Sequence, residues 1–516
     1  MAGSALTPAE TQFMEAIREK FPNKMARLRG GFYDIKNKQG KREAFRLNEH
    51  QEQFLMERHG MDVILKARQL GYTTVIQLDM LDDCLFTSNL SAGVIAHNLV
   101  DAKAFFRDKI KFAYDGLPDA FKKIRAAEAD SAESLRFNNG SSIRVGVSLR
   151  SGTLQRLHVS EYGKLCAKFP DRAEEVKTGA FNTVAVGQSI TVESTAEGRA
   201  GGFHEIVTRA RKHEEQGREL TPLDFKFHFT AWWEDEGNTL DADVLETSEM
   251  VEYFTKAMSH PWLKARNVVF TKGQRAWYVK KSEQQGDKMK QEHPSHPDEA
   301  FEASVEGAYF GPQMAKVRSE GRICRIPILD IPVYTTWDLG VGDAMTICFW
   351  QDVGMERRLI DYYENSGEGF GHYAKVLQEK GYNYKEHHMP HDVMHRSLGK
   401  DAKSRKEHAE ESGIKPVRVV PRIATEADGI EASRSYFPNV YIDEVRCQRI
   451  IDCLDSYRKE WDEKLSTWKD KPLHDQFSHG YKAFETAAVR KEVIVRVVTA
   501  ARPPTTQTAW NKRKVR

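Results

Sequence analysis

The chain has no Cys-x-x-Cys pair, and its six cysteines (Cys84, Cys166, Cys324, Cys348, Cys447 and Cys453) are scattered through 516 residues. That scatter argues against a zinc-finger or disulfide framework and for reduced thiols in a cytosolic protein. No apolar run approaches ~18 residues and the N-terminus lacks a signal-type apolar core, so neither membrane insertion nor secretion is expected. Neither sign of charge dominates: 77 Lys+Arg against 75 Asp+Glu leave a net charge of +2. Contact with a nucleic acid therefore has to use local patches. The candidates are Arg107 to Lys123, the group Lys400, Lys403, Arg405 and Lys406, and the terminal stretch Asn511 to Arg516. No internal repeat is present. The His387-His388 pair and His391 lack matching cysteines and are read as structural or as supporting metal ligands without being ligands themselves.

What the chain does contain is a strand–loop–helix signal. Val63-Ile64-Leu65 reads as a short buried strand, followed by the basic loop Lys66-Ala67-Arg68-Gln69-Leu70-Gly71 and the hydroxyls Thr73 and Thr74. An amphipathic helix with Val75, Ile76, Leu78, Met80 and Leu81 follows. Such a unit cradles a polyphosphate between backbone N–H groups and the positive helix end. The usual loop is G-x-x-x-x-G-K-[ST]; here Tyr72 takes the place of the lysine and Lys66 that of the first glycine. Lys66 is then the candidate cation for the β/γ-phosphates, with Arg68 as its rival, and Thr73 stands where a hydroxyl binds Mg²⁺. Read alone, the same pattern also describes an ordinary strand–turn–helix. Gln51, upstream, is placed to read an adenine edge, although a solvated helix face accounts for it equally well. Downstream, Leu157 to Glu161 reads as a strand ending in a carboxylate; Glu161 would polarise the attacking water, and Ser160 stands where an aspartate is common. Ala92 to His97, Ser142 to Val147 and Val184 to Glu193 are further strands, the last running into Ser194-Thr195-Ala196-Glu197-Gly198. Strands alternating with helices predict an α/β fold with a parallel sheet and a ligand at the strands' carboxyl ends.

The second half carries a different signal. Val333 to Asp338 reads as a strand ending in a carboxylate before a glycine-rich turn, and Met345 to Trp350 and Arg358 to Tyr363 continue as a β-meander. Met389-Pro390-His391-Asp392 adds a second acidic position and His474 to His479 a third cluster. Three separated acidic positions suit two hard cations that clamp a phosphodiester. The alternative is that Asp338 and Asp392 cap strand ends and 474–479 is a solvated turn.

In order and spacing these motifs resemble the large terminase subunit of tailed bacteriophages. The resemblance runs through Arg68-Gln69-Leu70-Gly71-x-Thr73-Thr74, Asn139-Gly140-Ser141-Ser142-Ile143, Arg150, the 157–161 strand, Ser194 to Gly198, and Glu299-Ala300-Phe301 followed by Glu306 to Phe310. It implies an N-terminal P-loop (RecA/ASCE-like) ATPase and a C-terminal ribonuclease-H-like nuclease. It also implies ATP with Mg²⁺, Mn²⁺ for cleavage, double-stranded DNA, a procapsid portal protein, a small terminase subunit, a pentameric packaging ring and the host cytoplasm. Gln51, Lys66, Arg68, Gln69, Gly71, Thr73 and Thr74 would bind the nucleotide, Glu161 would be catalytic, and Arg150 would act on a neighbouring subunit's ATP. Asp338, Asp392 and Asp475 would hold the nuclease metals. One departure bears on that set: the family's Ser-His-x-x-Asp-Ala is here Ser478-His479-Gly480-Tyr481-Lys482-Ala483, so Asp475, His479 or Glu485 has to supply the third ligand. The rival readings are a helicase or resolvase, and a non-catalytic DNA-binding component in which Tyr72, Ser160 and Lys482 mark degenerate sites.

The expected division is a helical segment at 1–44, an ATPase at 45–310 with a small subdomain from 201, and a proline-marked linker at 311–332. A nuclease at 333–497 and a basic flexible tail at 498–516 complete it.

Overall fold

The computed structural model describes residues 7–199, 201–302, 306–340, 344–396, 403–465 and 467–490. Lys400, the Asn511–Arg516 patch, the 498–516 tail and the last residues of the expected nuclease segment lie outside them. The chain divides into two compact units, Met1–Gly311 with Arg458–Asp470, and Pro312–Tyr457 with Lys471–Arg516.

In the first unit, Met61–Lys66 is buried at every position, as a strand covered on both faces must be. It lies in an eight-stranded sheet, second from one edge. In spatial order Lys226–Thr230, Met61–Lys66, Val184–Ser194, Leu154–Ser160, Ser91–Ile95 and Ser142–Gly146 are all parallel. Ser134–Phe137 and Ala127–Asp130 extend the sheet antiparallel. The Val184–Ser194 strand therefore separates the strand entering the loop from the strand leading to Glu161.

Helix Tyr72–Phe86 carries two aspartates, Asp79 and Asp82, that are almost wholly buried and so must be paired. Asp82 accepts from Arg27 Nε at 2.6 Å and from Tyr33 OH at 2.7 Å, and Asp79 meets Lys24 at 2.9 Å and Arg58 at 2.6 Å. Three of these partners lie in the segment expected to stand apart at 1–44; its apolar residues Met14, Ile17 and Leu28 share one core with Ile76, Val94, Trp232 and Tyr278. Residues of the 201–302 stretch, among them Phe203, Trp232 and Phe254, pack into the cores of the first unit.

A late segment also belongs here. Arg458 donates Nε to Ala167 O at 2.9 Å, and Lys168 Nζ sits 4.1 Å from the centre of the Trp461 ring. Both contacts lie at the carboxyl end of helix Tyr162–Lys168, where cations offset the free carbonyls.

The second unit is built on a seven-stranded mixed sheet ordered Ile323–Cys324, Val440–Asp443, Glu356–Ser366, Ala344–Val353, Val333–Asp338, Tyr384–Met389, Val417–Val419. The three central strands form the antiparallel meander, and Tyr384–Met389 joins Val333–Asp338 in parallel. The expected linker is structured: helix Gly311–Ser319, from Pro312 onward, and strand Ile323–Cys324 belong to this unit, where Arg322 donates to Phe437 O and Val440 O at 2.8 and 2.6 Å.

All six cysteines are unpaired thiols. Among the described residues no helix is long and apolar enough to cross a membrane.

Candidate active sites

The loop 67–71 turns on two residues in left-handed backbone, Gln69 (φ +64°) and Gly71 (φ +77°). The positive φ at position 71 favours glycine, and a Cβ there would also lie 2.5 Å from Gln51 Nε2 and displace that amide. No side chain caps the first turn of helix Tyr72–Phe86, which leaves its amino end as an anion-binding terminus. Lys66 closes the strand with its side chain 6% exposed, and its ammonium lies 3.1 Å from Glu193 Oε2 and 3.4 Å from Glu161 Oε1. Burial works against its charge, but the two carboxylates overcome that and raise its pKa above the ordinary lysine value. Glu193 is the mirror case: burial would raise its pKa, yet Lys66, then His158 and Ser160, hold it well below the ordinary carboxylate range. Glu161 also sits below its usual value, with Lys66 and Lys164 outweighing burial and the repulsion of Glu193. Lys164 Nζ stands 2.8 Å from Glu161 Oε2.

Thr73 Oγ1 and Ser160 Oγ both donate to Glu193 Oε1, each at 2.7 Å. This group of hydroxyl and carboxylate oxygens is the hard donor set that suits Mg²⁺. Glu161 itself takes φ +55°, rare for a residue with a side chain and costing on the order of 1–3 kcal/mol. The two lysines on its carboxylate help hold it there.

Arg68 is 51% exposed and pairs with Glu292 at 3.2 Å, so the buried cation at the carboxylates is Lys66. Tyr72 is buried and its OH bonds Thr230 Oγ1 at 2.6 Å; it points into the core, not toward a phosphate. Gln51 is buried, with Oε1 accepting from Asn48 N at 3.3 Å and Nε2 donating to Leu70 O at 3.3 Å. Its amide braces the loop and keeps one N–H for a further acceptor. Thr74 accepts from Lys109 Nζ at 2.6 Å. Arg150 lies outside the cluster, largely exposed, with Nε 2.5 Å from Glu175. In the Arg107–Lys123 patch most cations already have carboxylate partners, among them Arg107 with Asp108 and Lys111 with Asp130. Lys403 likewise pairs with Glu411.

In the second unit, the parallel strands Val333–Asp338 and Tyr384–Met389 end at the same side of the sheet. That brings Asp338 and the turn carrying Asp392 to one cavity of about 670 Å³, also lined by His391, His474, His479 and Lys482. Helix Ser478–Val489 is held over the sheet by Thr336 Oγ1 donating to Ala483 O at 2.8 Å and Thr346 Oγ1 to His479 O at 2.9 Å. His479 Nδ1 thereby comes 3.3 Å from Asp338 Oδ2. Asp392 meets His391 Nε2 at 3.0 Å. No lysine or arginine pairs with Asp338 or Asp392 among the described residues. Asp338 and Asp392, facing one cavity with no lysine or arginine ion-paired to either among the described residues, fit divalent metal ions.

Asp475 is not in the cavity lining; its Oδ1 accepts from Phe477 N at 2.9 Å and shapes the turn before the helix. Lys482 does face the cavity, but its ammonium is held by Glu426 at 2.6 Å and Glu485 at 2.9 Å. Glu485 accepts from Tyr481 OH as well, and burial, partly offset by Lys482, pushes its carboxyl above the usual value. His479 is thus better placed than Asp475 or Glu485 to complete the set.

Sequence reasoning assigned no role to Glu193 or Lys164, and it placed Lys109 only within the Arg107–Lys123 patch, away from the phosphate loop. The signal for Glu193 was there, a carboxylate near the end of the long Val184–Ser194 strand, but its position beside Lys66 depends on that strand's place in the sheet.

No family model and no curated protein matches the chain. Solved structures that it resembles include the large terminase of bacteriophage HK97, at 12% identity and TM-score 0.44, with 90% of this chain and 98% of that one covered. Another is the nuclease domain of the P22 large terminase, at 13% identity and TM-score 0.26, covering 33% of this chain and 88% of that one. Likenesses at this level carry no functional argument; what the chain can do rests on its own side chains.

Proposed function

We propose that the chain is the large subunit of a phage terminase, a motor that hydrolyses ATP to move double-stranded DNA into a procapsid and cuts concatemeric DNA with a metal-dependent nuclease. The observation that carries this reading is the Lys66–Glu161–Glu193 cluster at the carboxyl ends of three adjacent strands, beside an uncapped helix terminus.

In hydrolysis the 67–71 loop and the helix terminus take the phosphates, and Lys66 fixes both carboxylates in their ionised form. Glu161, held ionised, orients and polarises the attacking water. Thr73, Ser160 and Glu193 would hold Mg²⁺, which when bound neutralises phosphate charge. Arg150, exposed on the surface, serves a neighbouring subunit in a pentameric ring. Mixing Arg150→Ala with Glu161→Gln subunits is then expected to recover part of the ATPase activity that each lacks alone, and no recovery in any mixture removes the trans role. In the second unit Asp338, Asp392 and His479 would hold Mn²⁺ or Mg²⁺, which when bound stabilise charge on the scissile phosphate.

The test is ATP hydrolysis by the full chain with and without double-stranded DNA, the small subunit and portal-bearing empty procapsids. Stimulation by DNA and again by procapsids is expected. Strand separation independent of procapsids would favour a helicase, and absence of both turnover and cleavage a structural component.

A further inference from the structure

Among the described residues Lys109 has no carboxylate counter-ion, and it stands at the edge of the proposed nucleotide site. It lies in a π-helical stretch, Phe106–Lys111, whose wider turn is uncommon and frequent at functional sites. Its ammonium donates to Thr74 Oγ1 at 2.6 Å. Among the described residues no carboxylate forms an ion pair with it, whereas Lys66, Lys164 and Arg68 around the same loop all have one. Phe105, 6.0 Å from Nζ to ring centre, offers little compensation. Burial accordingly depresses its pKa below the usual lysine value, with Glu193 and Asp108 offsetting only part of that and Lys66 adding to it. A folded chain does not keep a half-buried ammonium without an ionic partner at no cost.

The charge count at the loop says what would compensate it. Lys66 and Lys164 balance Glu161 and Glu193, so that cluster is neutral before a polyphosphate arrives. Tyr72 supplies no charge, and Arg68 is shared with Glu292. Thr74 stands in the first turn of helix Tyr72–Phe86, so an ammonium on its hydroxyl is next to the terminus that receives the phosphates. We infer that Lys109 is a phosphate-binding residue of the nucleotide site, taking from a neighbouring helix the role that Tyr72 cannot fill, with the triphosphate as its missing counter-ion. This rests on the nucleotide-hydrolysing reading of the site.

The experiment measures thermal unfolding and ATPγS and ADP affinity for the full chain and for Lys109→Met, Lys109→Gln and Lys109→Arg. Lys109→Met is expected to weaken ATPγS binding by about ten- to hundredfold, with Lys109→Arg recovering part of it. The unliganded Lys109→Met protein should melt at the same temperature or higher, because an unpaired ammonium has become an apolar side chain. A merely structural lysine would show the reverse: a lower unliganded melting temperature and unchanged ATPγS affinity. That result, in Lys109→Met or, should it misfold, in Lys109→Gln, overturns the inference. If the wild-type chain itself binds neither ATPγS nor ADP, the nucleotide reading fails and the inference with it; wild-type binding retained in the variants defeats the inference alone.

Discussion

Glu193 in the first unit and Asp338 in the second both stand at the buried carboxyl end of a sheet strand, yet their surroundings differ in kind. Glu193 is sealed in and meets Lys66, His158, Ser160 and Thr73, so its charge is fixed by the fold. Asp338 and Asp392 open onto a cavity and have only histidines as ion-pair partners among the described residues. One cluster carries its own cation, while the other leaves room for cations from solution. A group whose positive partner is built in is organised before substrate arrives. A group that lacks one depends on metal supply and gains its charge balance only on binding.

The largest expected effects separate the two sites. Asp338→Asn should lower DNA cleavage by on the order of 10³-fold or more while DNA-stimulated ATP turnover survives, and Glu161→Gln should do the opposite. Parallel cleavage and ATPase assays on both variants read this out; loss of both activities in either one would mean the clusters are not independent.

Next is the built-in cation itself. Lys66→Met leaves Glu161 and Glu193 buried without it, which should cost about 3–5 kcal/mol of stability as well as turnover. The pH dependence should change sign. In the wild type Glu193 ionises below the ordinary carboxylate range, so its contribution is present above the unfolded value of about 4.3 and fades as pH falls through the folded value. Without Lys66 the remaining burial pushes Glu193 upward, and stability should rise as pH is lowered from about 7 to about 5. Urea midpoints at the two pH values decide it, and a variant with no gain at the lower pH would show that other groups hold the charge.

A smaller effect is expected at Lys482. Because Glu426 and Glu485 already neutralise it, Lys482→Met should reduce the Mn²⁺ concentration needed for half-maximal cleavage by at most about fivefold. A change of two orders of magnitude would show instead that this lysine governs metal binding.

The smallest belongs to Asp475. Asp475→Ser should leave cleavage intact and cost about 0.5–1.5 kcal/mol through the turn hydrogen bond to Phe477. A clear loss of cleavage with unchanged stability would restore it as a ligand.

What could be read in advance was whatever local pattern controls. The apolar run before Lys66, the glycine at 71 and the carboxylates at 161, 338 and 392 mark strand ends, and strand ends are where such α/β sheets place their chemistry. Asp475 and His479 were harder, since they are close in sequence and only the path of the turn decides which one faces the cavity. The separate status expected for 1–44 and 311–332 also depended on partners far away: Asp79 and Asp82 for the first, Phe437 and Val440 for the second.

By itself, then, the amino-acid order determined the periodicities, the glycine that eases the loop's left-handed turn at position 71, and the residue types available for phosphate and metal chemistry. Tertiary structure alone decided who meets whom. Glu193 faces Lys66 because its strand lies between two others, and Lys109 reaches Thr74 because a π-helical stretch of a neighbouring helix passes the loop. Lys482 is quenched because Glu426, on a helix 56 residues earlier, comes within 2.6 Å. Charge interactions act through a few ångströms of space, and only the folded chain converts sequence separation into such distances.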